Sequence, residues 1–288
     1  MFAFNETLEQ ARERNIRDAL AEDIGRGDWT AQLVPPGQRV RARVVVREPA
    51  LLCGREWFAG CLRALDGGSR IDWQFDDGEA MAADTTVCLI EAEARALLSA
   101  ERPALNFLQL LSATATATRR HVDAIAGASP NPGGCAILDT RKTLPGLRQA
   151  QKYAVRVGGG RNQRLALWHG ILIKENHIAA AGGVGAALRQ ARALNADVDI
   201  QIEVETLAQL REALAEGARS VMLDNFDLAR MREAVAVNEG RAELEVSGGV
   251  QLQQLRAIAA TGVDRISVGA LTKNVQAIDL SMRVLDRL

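Results

Sequence analysis

"DIQIEVETLAQLREALAEGARSVMLDNFDLARMREAVAVNEGRAELEVSGGV", residues 199 to 250, decides the fold. Short apolar runs, IQIEV (200–204), SVMLD (220–224) and ELEVS (243–247), alternate with the helix-like segments LAQLREALAEG and DLARMREAVAVN. Strand then helix, repeated, predicts a parallel sheet covered on both faces. The rhythm extends in both directions. CAILD (135–139) and ILIK (171–174) precede the stretch, and RISVG (265–269) follows it. GVGAALRQARALN and QLQQLRAIAATG supply two more helices. The later repeats begin 20 to 23 residues apart, which favours a barrel over an open sheet with long crossovers.

Each run ends in polar or glycine residues: 139–142, Lys174, Glu203 and Glu205, Asp224 and Asn225, 247–249, and Gly269. In a β/α barrel all strand C-termini open onto one face, where the chemistry sits. Asp224, Asn225 and Ser247 could each merely cap the next helix. Six endings of this kind are harder to assign to capping alone.

The 288 residues carry a net charge of −1, so no overall field draws the chain to nucleic acid or an anionic membrane. The N-terminus is charged where a secretion signal is apolar, and no apolar stretch has the roughly 20 residues a membrane helix needs. Cys53, Cys61, Cys88 and Cys135 show no metal spacing, so reduced core thiols and a cytoplasmic protein are expected.

Ahead of the repeats, Asn5 and Glu6 mark an expected helix start. VRARVVVRE, RIDWQF and TTVCLIEAEA read as strands around a helical GREWFAGCLRAL, a small α+β unit. A long helix follows from 102, with Pro103 in its first turn. The Ala and Thr residues at 113–118 thin one side of it, for packing within the domain or against a second subunit. The domains are set at 1–115 and 116–273, with a C-terminal helix at 274–288 packing back on the first.

The strand ends supply cations (Arg141, Lys142, Arg164, Lys174) and acids (Glu203, Glu205, Asp224). Arginine forks match carboxylate and phosphate, and carboxylates without His or Cys suit Mg²⁺. SGGV and SVGAL place small residues and free N–H groups at adjacent strand ends, a phosphate cradle. Phosphoribosyl transfer from a diphosphate donor to an acidic acceptor fits all three features. A barrel aldolase would need an isolated, desolvated lysine, whereas Lys174 sits among charges.

LDTRKTLPGLRQAQKYAVRVGGGRNQR (138–164), LIKENHI, IEVET, MLDNF, EVSGGV and ISVGALT resemble the quinolinate phosphoribosyltransferase family, in order, over nearly the whole chain. The resemblance implies an N-terminal α+β sandwich domain and an atypical, partly open parallel α/β barrel. It implies Mg²⁺, and a homodimer or larger assembly with sites shared between subunits. The implied reaction joins quinolinate to phosphoribosyl diphosphate, giving nicotinate mononucleotide, diphosphate and CO₂.

Carried over by position, Thr140, Arg141, Lys142, Gln163, Arg164 and Lys174 would hold quinolinate carboxylates and donor phosphates. Glu203 and Asp224 would face the ribose and Mg²⁺; Lys142, Lys174, Glu203 and Asp224 form the catalytic set. Ser247, Gly248, Gly249, Val268, Gly269 and Ala270 would hold the 5′-phosphate. Arg102 would reach the neighbouring subunit's site. Three positions depart from the family pattern. Gln163 replaces a usual His and can still donate a hydrogen bond to a carboxylate. His169 replaces a usual Asp, and Lys273 a frequent His. A paralogue with another acceptor, or a silent phosphoribosyl diphosphate sensor, are the rival readings; the acid pair argues against the sensor.

Seven Lys or Arg stand against one acid between 137 and 164. Arg148, Lys152 and Arg156 fall on one helical stripe, either a solvated face or a field that steers anions.

Overall fold

The computed structural model describes residues 6–288, which divide into two compact units. The first takes residues up to 117, 143–159 and 272–288; the second takes 118–142 and 160–271. The expected cut at 115/116 did not include the return of 143–159 to the first unit.

In the first unit, α1 (Leu8–Ile24) is capped by Thr7, whose hydroxyl accepts from Gln10 N at 3.2 Å while Gln10 Oε1 accepts from Thr7 N at 2.9 Å. This reciprocal box fixes the start; Asn5 lies outside the described residues. Next come β1 (Arg39–Val46), β2 (Ala50–Leu51), α2 (Arg55–Leu65), β3 (Arg70–Trp73), β4 (Ala80–Met81) and β5 (Thr86–Glu93). Strand β1 buries Val40, Ala42 and Val44 and turns Arg39, Arg41 and Arg43 away from them, the period-2 pattern of a sheet with one covered face. Its core includes Trp57, Phe58 and Leu62 of α2.

Helix α3 (Ala94–Ile125) starts directly after β5, where Glu93 Oε2 accepts from Ala96 N at 2.8 Å. Pro103 is therefore interior, not in the first turn, at a cost of about 3 kcal/mol offset by burial of Leu97, Leu105 and Leu108. Ala113, Thr114, Ala115 and Thr116 are buried within the chain, and Thr116 Oγ1 accepts from Leu51 N at 2.8 Å. The thin side of this helix thus has an intradomain use.

Helix α4 (Arg148–Val157) also belongs to this unit: Ala150 and Ala154 join the core, and Tyr153 donates to Asp77 at 2.8 Å. Lys152 is 2% exposed, so the Arg148/Lys152/Arg156 stripe is not a uniformly solvated face. Arg148 Nε donates to Thr143 at 3.2 Å, and the Arg156 guanidinium lies 5.9 Å from the Tyr153 ring. The cation run is thereby split between the units.

The second unit is the repeat read from the sequence: β6 (Ala136–Leu138), β7 (Gly170–Ile173), β8 (Asp199–Val204), β9 (Ser220–Asp224), β10 (Glu243–Ser247) and β11 (Arg265–Ser267). Helices α5 (Glu175–Ala181), α6 (Val184–Ala193), α7 (Leu207–Ala215), α8 (Leu228–Asn238) and α9 (Leu255–Ala259) alternate with the later strands. All strand pairs are parallel, in the order β6-β11-β10-β9-β8-β7. Strands β6 and β7 are edges, so the ladder is open between them. On the β6 side, Arg161 N donates to Ile137 O and Asp139 N to Arg161 O, at 2.8 and 3.2 Å. Residues 161–164 then run on to Arg164, whose Nη1 donates to Gly170 O of β7 at 2.9 Å. This is the partly open arrangement expected.

After the short α10 (Ala270–Lys273), the chain forms β12 (Leu280–Arg287) in the first unit. The expected helix at 274–288 is instead a strand, antiparallel to β1 with Val46 opposite Leu280. The reason is in LSMRVLDR: Leu280, Met282 and Val284 alternate with polar residues, and β1 offers an open edge. The first unit's main sheet is thus β12-β1-β5-β3.

Candidate active site

The C-terminal ends of β6 to β11 bring most of the expected residues together within the second unit. Lys174 follows β7 directly and its Nζ lies 2.9 Å from Glu203 Oε2 on β8. The parallel register pairs Ser247 with Asp224, so β10 presents its hydroxyl beside the last residue of β9. Gly248 has φ +101°, and a Cβ there would stand 3.1 Å from Asp224 Oδ1 and 3.0 Å from Asn225 Oδ1. Only glycine lets this turn pass so close to the acid. Asn225 also holds Asp224 Oδ2 through its Nδ2 at 2.7 Å.

On the far side of the sheet, Lys142 and Thr140 cross the end of β11. A Cβ on Gly269 would meet Lys142 Cδ at 3.0 Å and Thr140 Oγ1 at 3.3 Å. Thr140 Oγ1 accepts from Lys142 N at 3.1 Å and sets this turn. Val268 is buried, its N–H donating to Leu138 O at 2.9 Å, while Gly269 and Ala270 are half-buried. Asp224 integrates these neighbours. Burial raises its carboxyl above the ordinary range, Glu205 and Glu175 add to the rise, and Lys174 and Lys142 oppose it.

Two guanidiniums form the cationic side. The Nε of Arg141 is buried with no hydrogen-bond partner among the described residues. Arg164 titrates below the usual arginine range, first because it is desolvated and second because Arg141 is near. Two like charges held close and partly dried favour an anion between them.

Gln163 behaves differently from expectation. Its Nε2 donates to Gln201 Oε1 at 2.7 Å and to Glu245 Oε2 at 3.1 Å, and its Oε1 accepts from Arg164 N at 2.6 Å. The carboxamide is engaged inside the barrel. Gln201 and Glu245 are not among the residues expected from the sequence, and Asp139, expected as a strand ending, joins them here. Asp139 is fully buried and accepts from Gln163 N at 2.9 Å and Asn162 Nδ2 at 2.6 Å. The available signal was an acid inside or ending an apolar strand, LEV and ILD, where charge is rarely buried without partners.

Arg102 and Lys273 belong to the other unit; Arg102 is exposed and pairs with Glu101 at 2.7 Å. A cavity of about 460 Å³ in the second unit is lined by the first residues of β7 to β11 together with Gln163, Arg164 and His169, so these three stand toward that end of the sheet, whereas Lys174, Glu203 and Asp224 stand at the other. The site is assigned to the C-terminal ends because the converging charges and glycine turns are there.

No group of three or more His, Cys, Asp or Glu that could hold a metal gathers among the described residues. Glu203 and Asp224 offer oxygen donors alone, the set that suits an ion taking most of its ligands from substrate and water.

Two family models match the chain, quinolinate phosphoribosyl transferase N-terminal domain over 28–112 and C-terminal domain over 114–283. The carboxylating nicotinate-nucleotide pyrophosphorylase of Mycobacterium leprae is 42% identical over 279 residues, spanning 94% of this chain and 96% of that protein. A probable enzyme of the same name from Bacillus subtilis is 40% identical, spanning 91% and 90%. The structure of the Francisella tularensis nicotinate-nucleotide pyrophosphorylase matches with a TM-score of 0.91 and 42% identity, over 99% of this chain and 100% of that one. With both domain models, full-length relatives and the strand-end constellation in agreement, the chain belongs to the quinolinate phosphoribosyl transferase family.

Proposed function

We propose that this enzyme transfers the phosphoribosyl group of phosphoribosyl diphosphate to quinolinate, releasing diphosphate and CO₂ and giving nicotinate mononucleotide. The observation that carries the acceptor is the close, partly desolvated pair Arg141 and Arg164, one with an unpartnered buried Nε. A dicarboxylate satisfies both forks at once. The donor's 5′-phosphate is taken by the N–H groups and glycines at 247–249 and 268–270, where absent side chains allow close backbone approach.

Loss of diphosphate builds positive charge at ribose C1. The carboxylates of Glu203 and Asp224 stabilise that charge and orient the ribose hydroxyls. Lys142 and Lys174 supply point charges to the departing phosphates and the acceptor carboxylate. The pyridine nitrogen attacks C1 as the C1–O bond breaks. As CO₂ leaves, the electron pair of the broken C2–carboxylate bond stays on C2, where the adjacent cationic nitrogen stabilises it, and a proton then adds to that pair. No covalent enzyme intermediate is needed; positioning and electrostatics supply the rate. Glu203 and Asp224 would hold Mg²⁺, which when bound neutralises charge on the diphosphate.

The assembly is a homodimer with shared sites, Arg102 reaching the partner's. This reading rests on the family, since the small residues at 113–116 are already buried within one chain. No described helix is long and apolar enough to cross a membrane. The four cysteines are free thiols, Cys53, Cys61 and Cys88 buried and Cys135 half-buried, and burial pushes Cys61 and Cys135 up to about 12, which makes them poor nucleophiles, in keeping with a cytoplasmic enzyme.

The test is an assay of purified protein with phosphoribosyl diphosphate, Mg²⁺ and either quinolinate or nicotinate, following CO₂ and nicotinate mononucleotide. Quinolinate turns over and nicotinate, lacking the 2-carboxylate, does not. Comparable rates with nicotinate would remove Arg141 and Arg164 from dicarboxylate recognition.

A further inference from the structure

Glu245 lies in the middle of β10 between Leu244 and Val246, at 0% exposure. A carboxylate that dry is tolerated only when donors surround it. Here Gln201 Nε2 of β8 donates at 2.9 Å, Gln163 Nε2 at 3.1 Å, and Ser267 Oγ of β11 donates to the other oxygen. Arg265 Nε stands 3.8 Å away. An apolar side chain would fill the same space without desolvating a charge. The network therefore requires a geometric explanation, and the residue it reaches supplies one.

Gln163 is fixed at three points. Glu245 and Gln201 take its Nε2, Asp139 takes its backbone N–H, and its own Oε1 takes the N–H of Arg164. That last bond, at 2.6 Å, ties the carboxamide to the backbone of the next residue. Arg164 is anchored beyond it only by Nη1 on Gly170 O at 2.9 Å, among the bonds described. The segment 161–164 bridges the open side of the sheet, where no ladder holds the backbone on the β7 side. Its path must be set by side chains.

We propose that Glu245 is a positioning residue for the acceptor-binding Arg164, acting through the carboxamide of Gln163 from inside the barrel. The proposal rests on the assignment of Arg164 to the acceptor. It gives Gln163 an internal role in place of direct contact with a carboxylate. Glu245→Gln keeps size and shape but replaces one acceptor oxygen by an NH₂ group that faces the donors of Gln163, Gln201 or Ser267. The Gln163 carboxamide then swings away, and Arg164 loses its aim.

The experiment measures KM for quinolinate and for phosphoribosyl diphosphate, with kcat, in wild type, Glu245→Gln, Gln163→Met and the double variant. Glu245→Gln should raise the quinolinate KM at least about tenfold while the phosphoribosyl diphosphate KM stays within about twofold. Gln163→Met should do the same. In the double variant the second substitution should add less than about twofold, because both act through one link. Equal changes in the two KM values, or effects that multiply in the double variant, overturn the proposal. If Glu245→Gln does not fold, Ser267→Ala removes one donor more gently and must show the same selective rise, smaller in size. Absence of quinolinate turnover in the wild type would instead refute the functional reading, before any variant is compared.

Discussion

Replacing Lys174 by Met should destabilise the protein more than replacing its partner Glu203 by Gln. The pair is close, with Nζ and Oε2 2.9 Å apart, but unequal in environment: the side chains are 45% and 10% exposed. At an effective dielectric of about 20 the bare Coulomb attraction is roughly 6 kcal/mol. Desolvation of the acid and screening of the half-exposed lysine remove most of it, leaving about 1–2 kcal/mol as the cost of losing the lysine. Lys174→Met strands a buried carboxylate and should show that full cost, roughly 2–3 °C in Tm for a chain of this size. Glu203→Gln leaves an ammonium that can turn into water, and should cost less than about 0.5 kcal/mol. The double variant should resemble Glu203→Gln alone. Urea denaturation and thermal melts of the three variants, at low and moderate salt, read the difference. Equal losses for the two single variants, or a larger loss for Glu203→Gln, would show that Glu203 is not the desolvated member and would undo the argument.

Asp224→Asn should cut turnover at least about tenfold, a barrier change of roughly 1.4 kcal/mol, yet leave the fold more stable near neutral pH. The folded carboxyl is raised above its ordinary range by burial first and by Glu205 second. A raised group contributes stability below its unfolded pKa and loses it as pH rises through the folded pKa. Ionised Asp224 therefore weakens the fold at pH 7, and the advantage of the amide should shrink as pH falls into the carboxylate range; a melt series against pH checks the sign. Mixing Arg102→Ala subunits with Lys174→Ala subunits, each inactive alone, should restore about a quarter of wild-type activity if sites are shared in a dimer. Verified subunit exchange with no recovery would place Arg102 in its own subunit's function or in none.

The strands of the second unit were legible because each is an apolar run of fixed spacing, and the strand-end residues followed from the rule that parallel strands open on one face. Lys174, Glu203 and Asp224 needed no alignment to be found. Glu245 and Gln201 sit within the apolar runs that define β10 and β8, so neither stands at a strand end, where the chemistry is expected. The C-terminal strand was misread for a different reason. Its alternation is short and mostly exposed, and its partner is β1, far away in sequence. The return of 143–159 to the first unit is long-range in the same sense: Asn15 Nδ2 donates to Gly146 O at 3.0 Å, a contact between residues 131 apart. Pro103 was misplaced because a proline more often opens a helix than interrupts one, and nothing local announces the buried leucines that hold this helix together.

The pairing of β1 with β12 also has a consequence in time. Arg47 and Ser281, hydrogen-bonded at 3.0 Å, are 234 residues apart. At ribosomal speeds of about 5–20 residues per second, β1 waits roughly 10–50 s for its outer neighbour. During that interval one side of the strand is an unpaired row of N–H and C=O groups, the template on which nascent chains aggregate. Its alternating Arg39, Arg41 and Arg43 make the strand a poor partner for another copy of itself, since like charges would face one another. When β12 arrives, Asp286 comes within 4.0 Å of Arg41 and Arg47 finds the Ser281 hydroxyl. The arginines thus guard the nascent edge first and then help the correct strand to recognise it.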